Sequence, residues 1–221
     1  MTRTDPAAPT VLRLPRPDYP QIGDQLRARR QALGLSLREL ADRLGVTPSL
    51  ISQIERGRAN PSVSTLYAIV AELDLSLDEL LFSERRSADL AGAAPLQSGP
   101  IQRGHERQHI RLASGVTWER LTTRSEPGVE FLYVIYDIGG ASSESDHQRH
   151  SGHEWGYVIS GTLQVTIGFE SWVLEPGDSV SLDSTTPHRL ANVGDTPVHA
   201  IWFVLGRDPT EVPASGAGEA R

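Results

Sequence analysis

The sequence predicts an α + β protein with two domains: an N-terminal domain of five short helices and a C-terminal all-β domain of the jelly-roll kind. The 221 residues are enough for about two domains. Apolar residues recur with a helical period as far as residue 81. From residue 109 onward, short runs rich in Val, Ile, Thr and aromatic residues are separated by Gly or Pro, which is typical of β-strands.

The composition excludes several classes of protein. The chain has no Cys, so it forms neither disulfides nor thiolate metal sites. No stretch approaches 18 apolar residues, and the N-terminus lacks the apolar segment of a signal peptide. We therefore expect a soluble cytoplasmic protein with no membrane partner.

The N-terminal segment divides into an arm and a first helix. Residues 1–20 hold five Pro and no hydrophobic period, so we expect a disordered arm. Residues 22–33 form an amphipathic pattern with Ile22, Leu26 and Leu33 on one side, and Gly34 ends it.

Residues 35–66 predict two short helices joined by a tight turn. Ser36 and Glu39 have the spacing of a capping box, and Gly45 stands where a helix end needs a positive φ. Thr47 and Pro48 then begin a second helix. Its apolar residues point inward, and its polar residues point outward: Ser49, Ser52, Gln53 and Arg56. This layout predicts a helix-turn-helix, with a small helical bundle as the alternative.

The same stretch resembles the Cro/C1 (XRE) repressor family, whose pattern of the LxLRELAxRLGVTxSxISxIERGxxxPS type is matched almost continuously here. The resemblance implies a lambda-repressor-like fold and double-stranded DNA as the partner. It also implies that Arg30 and Glu55 form a largely buried ion pair whose role is structural.

Two further helices complete the predicted N-terminal domain over residues 22–82. Ser62 caps a helix that runs to about Leu73, and the capping box over residues 76–80 opens a short fifth helix. Residues 83–108 are rich in Ala, Gly, Pro, Ser and Arg and are expected to be a partly flexible linker.

The recognition helix over residues 48–56 is expected to enter the major groove. Gln53 is the best candidate for a base contact, because its amide can pair with adenine N6 and N7. The N-terminus of the preceding helix directs amide groups at a phosphate. The predicted DNA-binding residues are Ser36, Leu37, Arg38, Arg43, Thr47, Ser49, Ser52, Gln53, Arg56, Arg58 and Asn60.

The charge distribution agrees with this assignment. The whole chain has a net charge of −7, but residues 22–61 contain seven Arg and four acidic residues, a net charge of +3. After Arg86 there are nine Arg and seventeen acidic residues, a net charge of −8. The basic excess therefore lies on the predicted helix-turn-helix.

Nine short strands are predicted over residues 109–112, 116–122, 129–137, 155–160, 162–167, 169–174, 179–182, 188–193 and 197–205. Their regular spacing predicts a jelly-roll sandwich or barrel over residues 109–207. Residues 208–221 are rich in Pro, Gly and Ala and are expected to be a disordered tail.

Two segments of this domain resemble the cupin motifs. In the first, Glu154 is followed after six residues by Gly161; the second contains Pro176-Gly177, His188 and Asn192. The resemblance implies a small barrel with a central pocket, and it implies His150, Glu154 and His188 as metal ligands. Gln148 stands where the family has a further His, and the second motif lacks its central PxG.

Two interpretations of this cluster remain open. Two His and one carboxylate suit Fe(II), Zn(II), Ni(II) or Mn(II), so a divalent metal is a candidate although no cofactor is certain. The alternative is a hydrogen-bonded polar cluster without metal. In both, the predicted effector pocket contains Gln148, His150, Glu154, Tyr157 and His188, with Trp155, Phe131 and Tyr133 as apolar lining if the strand phase allows.

The predicted function is that of a sequence-specific, DNA-binding transcriptional regulator. We expect a homodimer that reads two half-sites, a cupin domain that binds a small-molecule effector, and no enzymatic activity. One alternative is a metal-dependent cupin enzyme, a dioxygenase or isomerase, tethered to a DNA-binding domain. Another is an antitoxin-like protein that binds a protein partner.

Overall fold

The computed structural model describes residues 21–75, 80, 99–124, 126, 128–143 and 147–206. The predicted arm over residues 1–20, the first part of the predicted linker and the predicted tail over residues 208–221 lie outside the described residues. The described chain forms a helical part followed by an all-β part.

The helical part contains four described helices. They are α1 (Gln21–Ala32), α2 (Leu37–Leu44), α3 (Pro48–Glu55) and α4 (Val63–Glu72). Their bounds agree with the first four predicted helices to within one residue. The fifth predicted helix falls on residues of which only Leu80 is described, and Leu80 is helical and buried.

Local capping interactions set the turn between α2 and α3. The Oγ of Ser36 accepts the N–H of Glu39 at 3.1 Å, and the carboxylate of Glu39 accepts the N–H of Ser36 at 2.8 Å. Gly45 ends α2 with a φ of 65°, and the hydroxyl of Thr47 accepts the N–H of Leu50 at 3.2 Å. The predicted capping box, Gly stop and Thr cap are therefore confirmed.

The helices pack closely because α1 has no side chain where it crosses α3. A Cβ on Gly23 would lie 2.5 Å from the carbonyl oxygen of Ile54 and 2.6 Å from that of Glu55, so this approach requires Gly. The apolar core of the helical part contains Leu26, Leu40, Ala41, Ile51, Ile54, Leu66, Ile69 and Leu73.

A buried ion pair joins α1 to α3. Arg30 donates from Nε and Nη2 to the two carboxylate oxygens of Glu55 at 2.5 and 2.9 Å, and from Nη1 to the carbonyl of Leu35 at 2.6 Å. The hydrogen bond to Glu55 raises the pKa of Arg30 against the opposing effect of burial. The pair suggested by the family resemblance is present, and both side chains are buried.

Nine strands form the β part. They are β1 (His109–Arg111), β2 (Val116–Arg120), β3 (Val129–Tyr136), β4 (His153–Ser160), β5 (Leu163–Ile167), β6 (Glu170–Leu174), β7 (Ser179–Asp183), β8 (His188–Asn192) and β9 (Val198–Leu205). All nine predicted strands are present, with bounds that differ by at most two residues.

The strands form two antiparallel sheets with the core between them. The larger sheet has the order β1-β2-β3-β9-β4-β7, and the smaller has the order β6-β5-β8. Residues alternate strictly along β4, so Glu154, Gly156 and Val158 face the interior while Trp155 and Tyr157 face outward. This arrangement confirms the predicted jelly-roll class.

The helical and β parts touch directly. The N–H of Ala113, in the turn between β1 and β2, donates to the carbonyl of Pro61 at 2.8 Å. The ring of Tyr67 on α4 lies 5.3 Å from that of Trp118 on β2.

The last part of the predicted linker packs on the larger sheet, because Arg107 pairs with Glu119 at 3.2 Å.

The Arg30–Glu55 pair generates a stability prediction. Replacing Arg30 with Met leaves the carboxylate of Glu55 buried without its partner, so we expect the free energy of unfolding to fall by about 3–5 kcal/mol. The double substitution Arg30→Met with Glu55→Leu should restore most of that loss, because no buried charge remains. Urea denaturation of the three proteins measures the effect; a double variant as unstable as the single variant would contradict it.

Candidate functional site

The segment before β4 is tied to β8, and this brings the predicted metal ligands together. Gln148 and His188 exchange backbone hydrogen bonds, each of 2.8 Å. The N–H of His150 donates to the carbonyl of Ser184 at 2.9 Å. Glu154 follows on the interior face of β4, so three polar side chains from separate segments converge inside the barrel.

The two His side chains approach one carboxylate oxygen. The Oε1 of Glu154 lies 2.8 Å from Nε2 of His150 and 3.3 Å from Nε2 of His188. The Nδ1 atoms lie 2.9 Å from the carbonyl oxygens of Ser151 and Thr186, so each Nδ1 carries the proton that it donates. In a neutral His with this tautomer, Nε2 carries a lone pair, and that lone pair faces the carboxylate.

A cation between the His rings and Glu154 would satisfy the lone pairs that face one another in this arrangement. That cation is either a proton shared with the carboxylate or a metal ion, and hydrogen-bonding Nδ1 to a carbonyl is how proteins orient metal-binding His. The ligand atoms of the three residues all lie within 4.8 Å of one another. The donor set, two imidazoles and one carboxylate, therefore fits a divalent transition metal.

Glu154 is held by four side chains. In addition to the two His contacts, Nε1 of Trp202 donates to its Oε2 at 2.5 Å and Oγ of Ser184 donates to its Oε1 at 3.0 Å. Burial alone raises the pKa of this carboxyl, but the hydrogen bonds and charges of His150 and His188 outweigh that effect and hold the pKa well below its usual range. These contacts favour the ionised form of Glu154.

Gly156 makes room for the indole that orients Glu154. A Cβ at Gly156 would lie 2.0 Å from the ring of Trp202, so any other residue would displace the indole. The contact of Trp202 with Glu154 was not predicted from the sequence. A Gly within an otherwise bulky strand is the sequence signal for such a close approach.

Gln148 does not act as a fourth ligand. Its Nε2 donates to the carbonyl of Ser142, so this nitrogen is engaged by the backbone, and an amide is a poor ligand for these metal ions. Gln148 lines the cavity together with His150, Glu154 and His188. The missing His of the first motif thus leaves a three-residue ligand set.

The cavity beside this cluster has a volume of about 30 Å³. Its apolar wall includes residues of both sheets and of α4: Val63, Tyr67, Trp118, Leu132, Val134, Tyr136, Leu190, Trp202 and Val204. The contribution of α4 was not predicted, because sequence spacing does not show how two domains pack.

The placement of Tyr157 corrects one prediction. Tyr157 is 48% exposed on the outer face of β4 and does not line the cavity. Tyr157 is three positions after Glu154, and side chains an odd number of positions apart on a strand lie on opposite faces. Phe131, Tyr133 and Trp155 are absent from the cavity wall for the same reason of strand phase.

The predicted DNA-binding residues lie around α3. Most are exposed: Ser36, Arg38, Arg43, Thr47, Ser49, Gln53, Arg56, Arg58 and Asn60, while Leu37 and Ser52 are half-buried. The amide of Gln53 donates to Oγ of Ser49 at 3.3 Å. Arg43 forms an ion pair of 2.6 Å with Glu72 on α4, so it has an intramolecular partner.

Among the described residues, no helix is long and apolar enough to cross a membrane. This finding agrees with the hydropathy of the sequence.

Comparisons with known proteins identify the two parts of the chain. A helix-turn-helix family model (HTH_3) matches residues 26–80, and a cupin domain model matches residues 132–204. The HTH-type transcriptional regulator PuuR of Escherichia coli is 29% identical over 77% of this chain and 86% of its own length. The HTH-type transcriptional regulator SutR of the same organism is 26% identical over 80% and 90%.

A solved structure supports the same fold. The crystal structure of an HTH_3 family transcriptional regulator from Vibrio cholerae covers 84% of this chain and 95% of its own, with 20% identity and a TM-score of 0.57. The chain therefore joins an XRE-type helix-turn-helix domain to a C-terminal cupin domain, and over most of its length it is similar to helix-turn-helix transcriptional regulators.

Proposed function

We propose that this regulator binds operator DNA as a homodimer through α3, and that its cupin cavity holds a divalent metal and responds to a small-molecule effector. The observation that carries the DNA-binding role is the exposed polar face of α3. Ser49 and Gln53 are exposed on a helix whose other face is buried in the core, and Arg56 is exposed at its C-cap. A protein that reads operator DNA works where the DNA is, so we place it in the cytoplasm.

Residues in the centre of α3 recognise bases, and residues around α3 bind phosphates. Gln53 has the amide donor and acceptor that match adenine in the major groove. The N-terminus of α2, at Ser36 and Leu37, presents backbone N–H groups to a phosphate. Arg56, Arg58 and the other exposed polar residues around α3 would bind the backbone, which fixes the register of the helix on the duplex.

Arg43 has a smaller part in this proposal than the sequence suggested. Its guanidinium pairs with Glu72, so a phosphate must compete with a carboxylate that is already in contact. Arg56 and Arg58 are exposed. They are the better candidates for the sequence-independent part of binding.

The metal would be held by His150, Glu154 and His188. When bound, a divalent ion supplies positive charge and open coordination positions for an oxygen or nitrogen donor of an effector. The protein contributes a carboxylate fixed by Trp202 and Ser184. Both His rings are oriented by backbone carbonyls before any ligand arrives.

A regulatory role fits the cavity better than catalysis does. Enzymes need an accessible pocket that admits substrate, and the cavity of about 30 Å³ is partly covered by α4 of the DNA-binding domain. The cupin enzyme remains the second candidate, because the same three ligands suit metal-dependent chemistry. Turnover by the metal-loaded protein would favour that alternative.

We further propose that the outer face of the larger sheet forms the dimer interface. Trp155, Tyr157 and Ile159 on β4 are each at least 40% exposed. They continue into the outward side chains Phe131 and Phe203, whose rings lie 6.0 Å apart. Exposed aromatic patches of this kind mark protein–protein contacts. Two DNA-binding domains that bind two half-sites also require a two-fold symmetric assembly.

Replacing Gln53 with Ala is expected to relax specificity at one base pair, with a loss of roughly 1–3 kcal/mol for the preferred base. Selection of bound sequences from a random DNA pool measures this. The matched control is Arg58→Ala, which should weaken all sequences nearly equally and reduce the salt dependence of binding. An unchanged selection profile for Gln53→Ala would remove the base contact from the proposal.

Elemental analysis tests the metal. Protein purified without chelators should contain close to one divalent transition metal per chain, and His188→Ala should lose it because two ligands remain. Gln148→Ala is the control, since its amide points to Ser142 and its loss should leave the metal content unchanged. Equal metal content in wild type and His188→Ala would show that the ion is bound elsewhere.

Tyr157→Arg tests the dimer interface. A charge in the centre of the apolar patch should shift the sedimenting species from dimer to monomer, because the buried guanidinium has no partner there. Phe169→Arg is the control, since Phe169 is fully exposed at the β5–β6 turn of the other sheet. A dimer that persists in Tyr157→Arg but dissociates in Phe169→Arg would assign the interface to the smaller sheet.

A further inference from the structure

A helix of the DNA-binding domain forms part of the wall of the cupin cavity. Val63 and Tyr67, both on α4, line it together with residues of the two sheets. The ring of Tyr67 lies 6.1 Å from that of His150, one of the three proposed metal ligands. The proposed effector site is thus an interdomain site.

Tyr67 is held against the cupin domain by specific contacts. Its hydroxyl donates to the carboxylate of Glu130 on β3 at 3.2 Å. Its ring packs at a tilt of 49° on Trp118, with centroids 5.3 Å apart. Close to the same helix, the carbonyl of Pro61 accepts the N–H of Ala113 at 2.8 Å. We call this set of contacts, made by Pro61 and Tyr67, the α4 latch.

With the latch in place, the cavity has little room for an organic molecule. A water molecule occupies about 10–15 Å³ of such volume, and the cavity offers about 30 Å³. That space suits a metal ion with a water molecule or two. An organic effector that reaches the ion must enlarge the cavity. Tyr67 is the wall residue that can move most easily, because it is half-buried and belongs to the other domain.

We propose that an organic effector and the α4 latch are mutually exclusive: a ligand that coordinates the ion displaces Tyr67 and detaches α4 from the cupin domain. This inference rests on the proposed function of the cavity as a metal and effector site. The matching ligand has one oxygen or nitrogen donor for the ion and a small apolar body that packs on Trp118, Leu132 and Val134.

The latch is connected to the DNA-binding surface by a short segment. Pro61 follows Asn60, a proposed phosphate contact, and Ser62 caps α4 immediately afterward. Movement of α4 therefore acts on the loop that follows the recognition helix. If operator DNA binds the closed arrangement more tightly, an effector that opens the latch and the DNA oppose each other's binding to the same extent, because coupling between two ligands is reciprocal.

A distance measurement tests the latch in the full-length protein. The chain has no Cys, so Arg27→Cys on α1 and Ile138→Cys after β3, both exposed, accept one spin label each. Double electron–electron resonance of the zinc-loaded protein should give a narrow distance distribution, which imidazole, a small nitrogen donor, should broaden. Calorimetry of imidazole binding is recorded on the same samples.

Tyr67→Ala and Tyr67→Phe are the matched variants. Tyr67→Ala should broaden the distribution without imidazole and should bind imidazole about tenfold more tightly, which corresponds to about 1.4 kcal/mol that wild type spends on opening. Tyr67→Phe keeps the ring on Trp118 and should resemble wild type more closely. Circular dichroism shows that both variants are folded.

Three outcomes would contradict the proposal or separate it from the proposed function. Imidazole that binds zinc in wild type without changing the distances would overturn the latch, and so would equal imidazole affinity in wild type and Tyr67→Ala. If zinc does not bind at His150, Glu154 and His188, the metal assignment fails. The metal-free comparison of Tyr67→Ala with Tyr67→Phe then still decides the latch, because a narrow distribution in Tyr67→Ala would refute it.

Discussion

The buried carboxylate of Glu154 is the group on which the arrangement of the cupin domain depends. It is 4% exposed, and an ionised carboxylate at such a position costs several kcal/mol unless it is paired and hydrogen-bonded. Trp202, Ser184, His150 and His188 meet that requirement from four separate segments. Since His188 belongs to the smaller sheet and Trp202 to the larger, one polar cluster ties the two sheets together at the cavity.

Local chemistry explains why so much of the fold could be predicted from sequence. The capping box at Ser36 and the left-handed Gly45 act within a few residues, so their spacing alone locates the helix-turn-helix. The strands could be predicted because turn residues separate short apolar runs. Strand phase was harder, because β4 carries bulky apolar residues on its outer face, and Tyr157 was assigned to the interior although its odd separation from Glu154 places it outside.

The unpredicted parts of the site depend on contacts between distant segments. Trp202 is 48 residues from Glu154, and Tyr67 is 83 residues from His150, so no periodicity links them. Gly156 was the local trace of Trp202, since a Gly in a strand indicates a close approach. No sequence signal indicated the position of Tyr67, because it has the spacing of any half-buried helical residue. Only the packing of the two domains places it over the cavity.

The contact between the domains also changes how a signal would travel. Helix α4 touches the cavity through Val63 and Tyr67, and it begins directly after the loop beside the recognition helix, so it connects the two sites without the predicted linker. The described contacts between the domains include an aromatic contact and two hydrogen bonds, each worth about 1 kcal/mol. Their sum is comparable to typical allosteric coupling energies of about 1–3 kcal/mol. A contact of that size holds α4 in place and yet can be offset by one ligand bound to the ion.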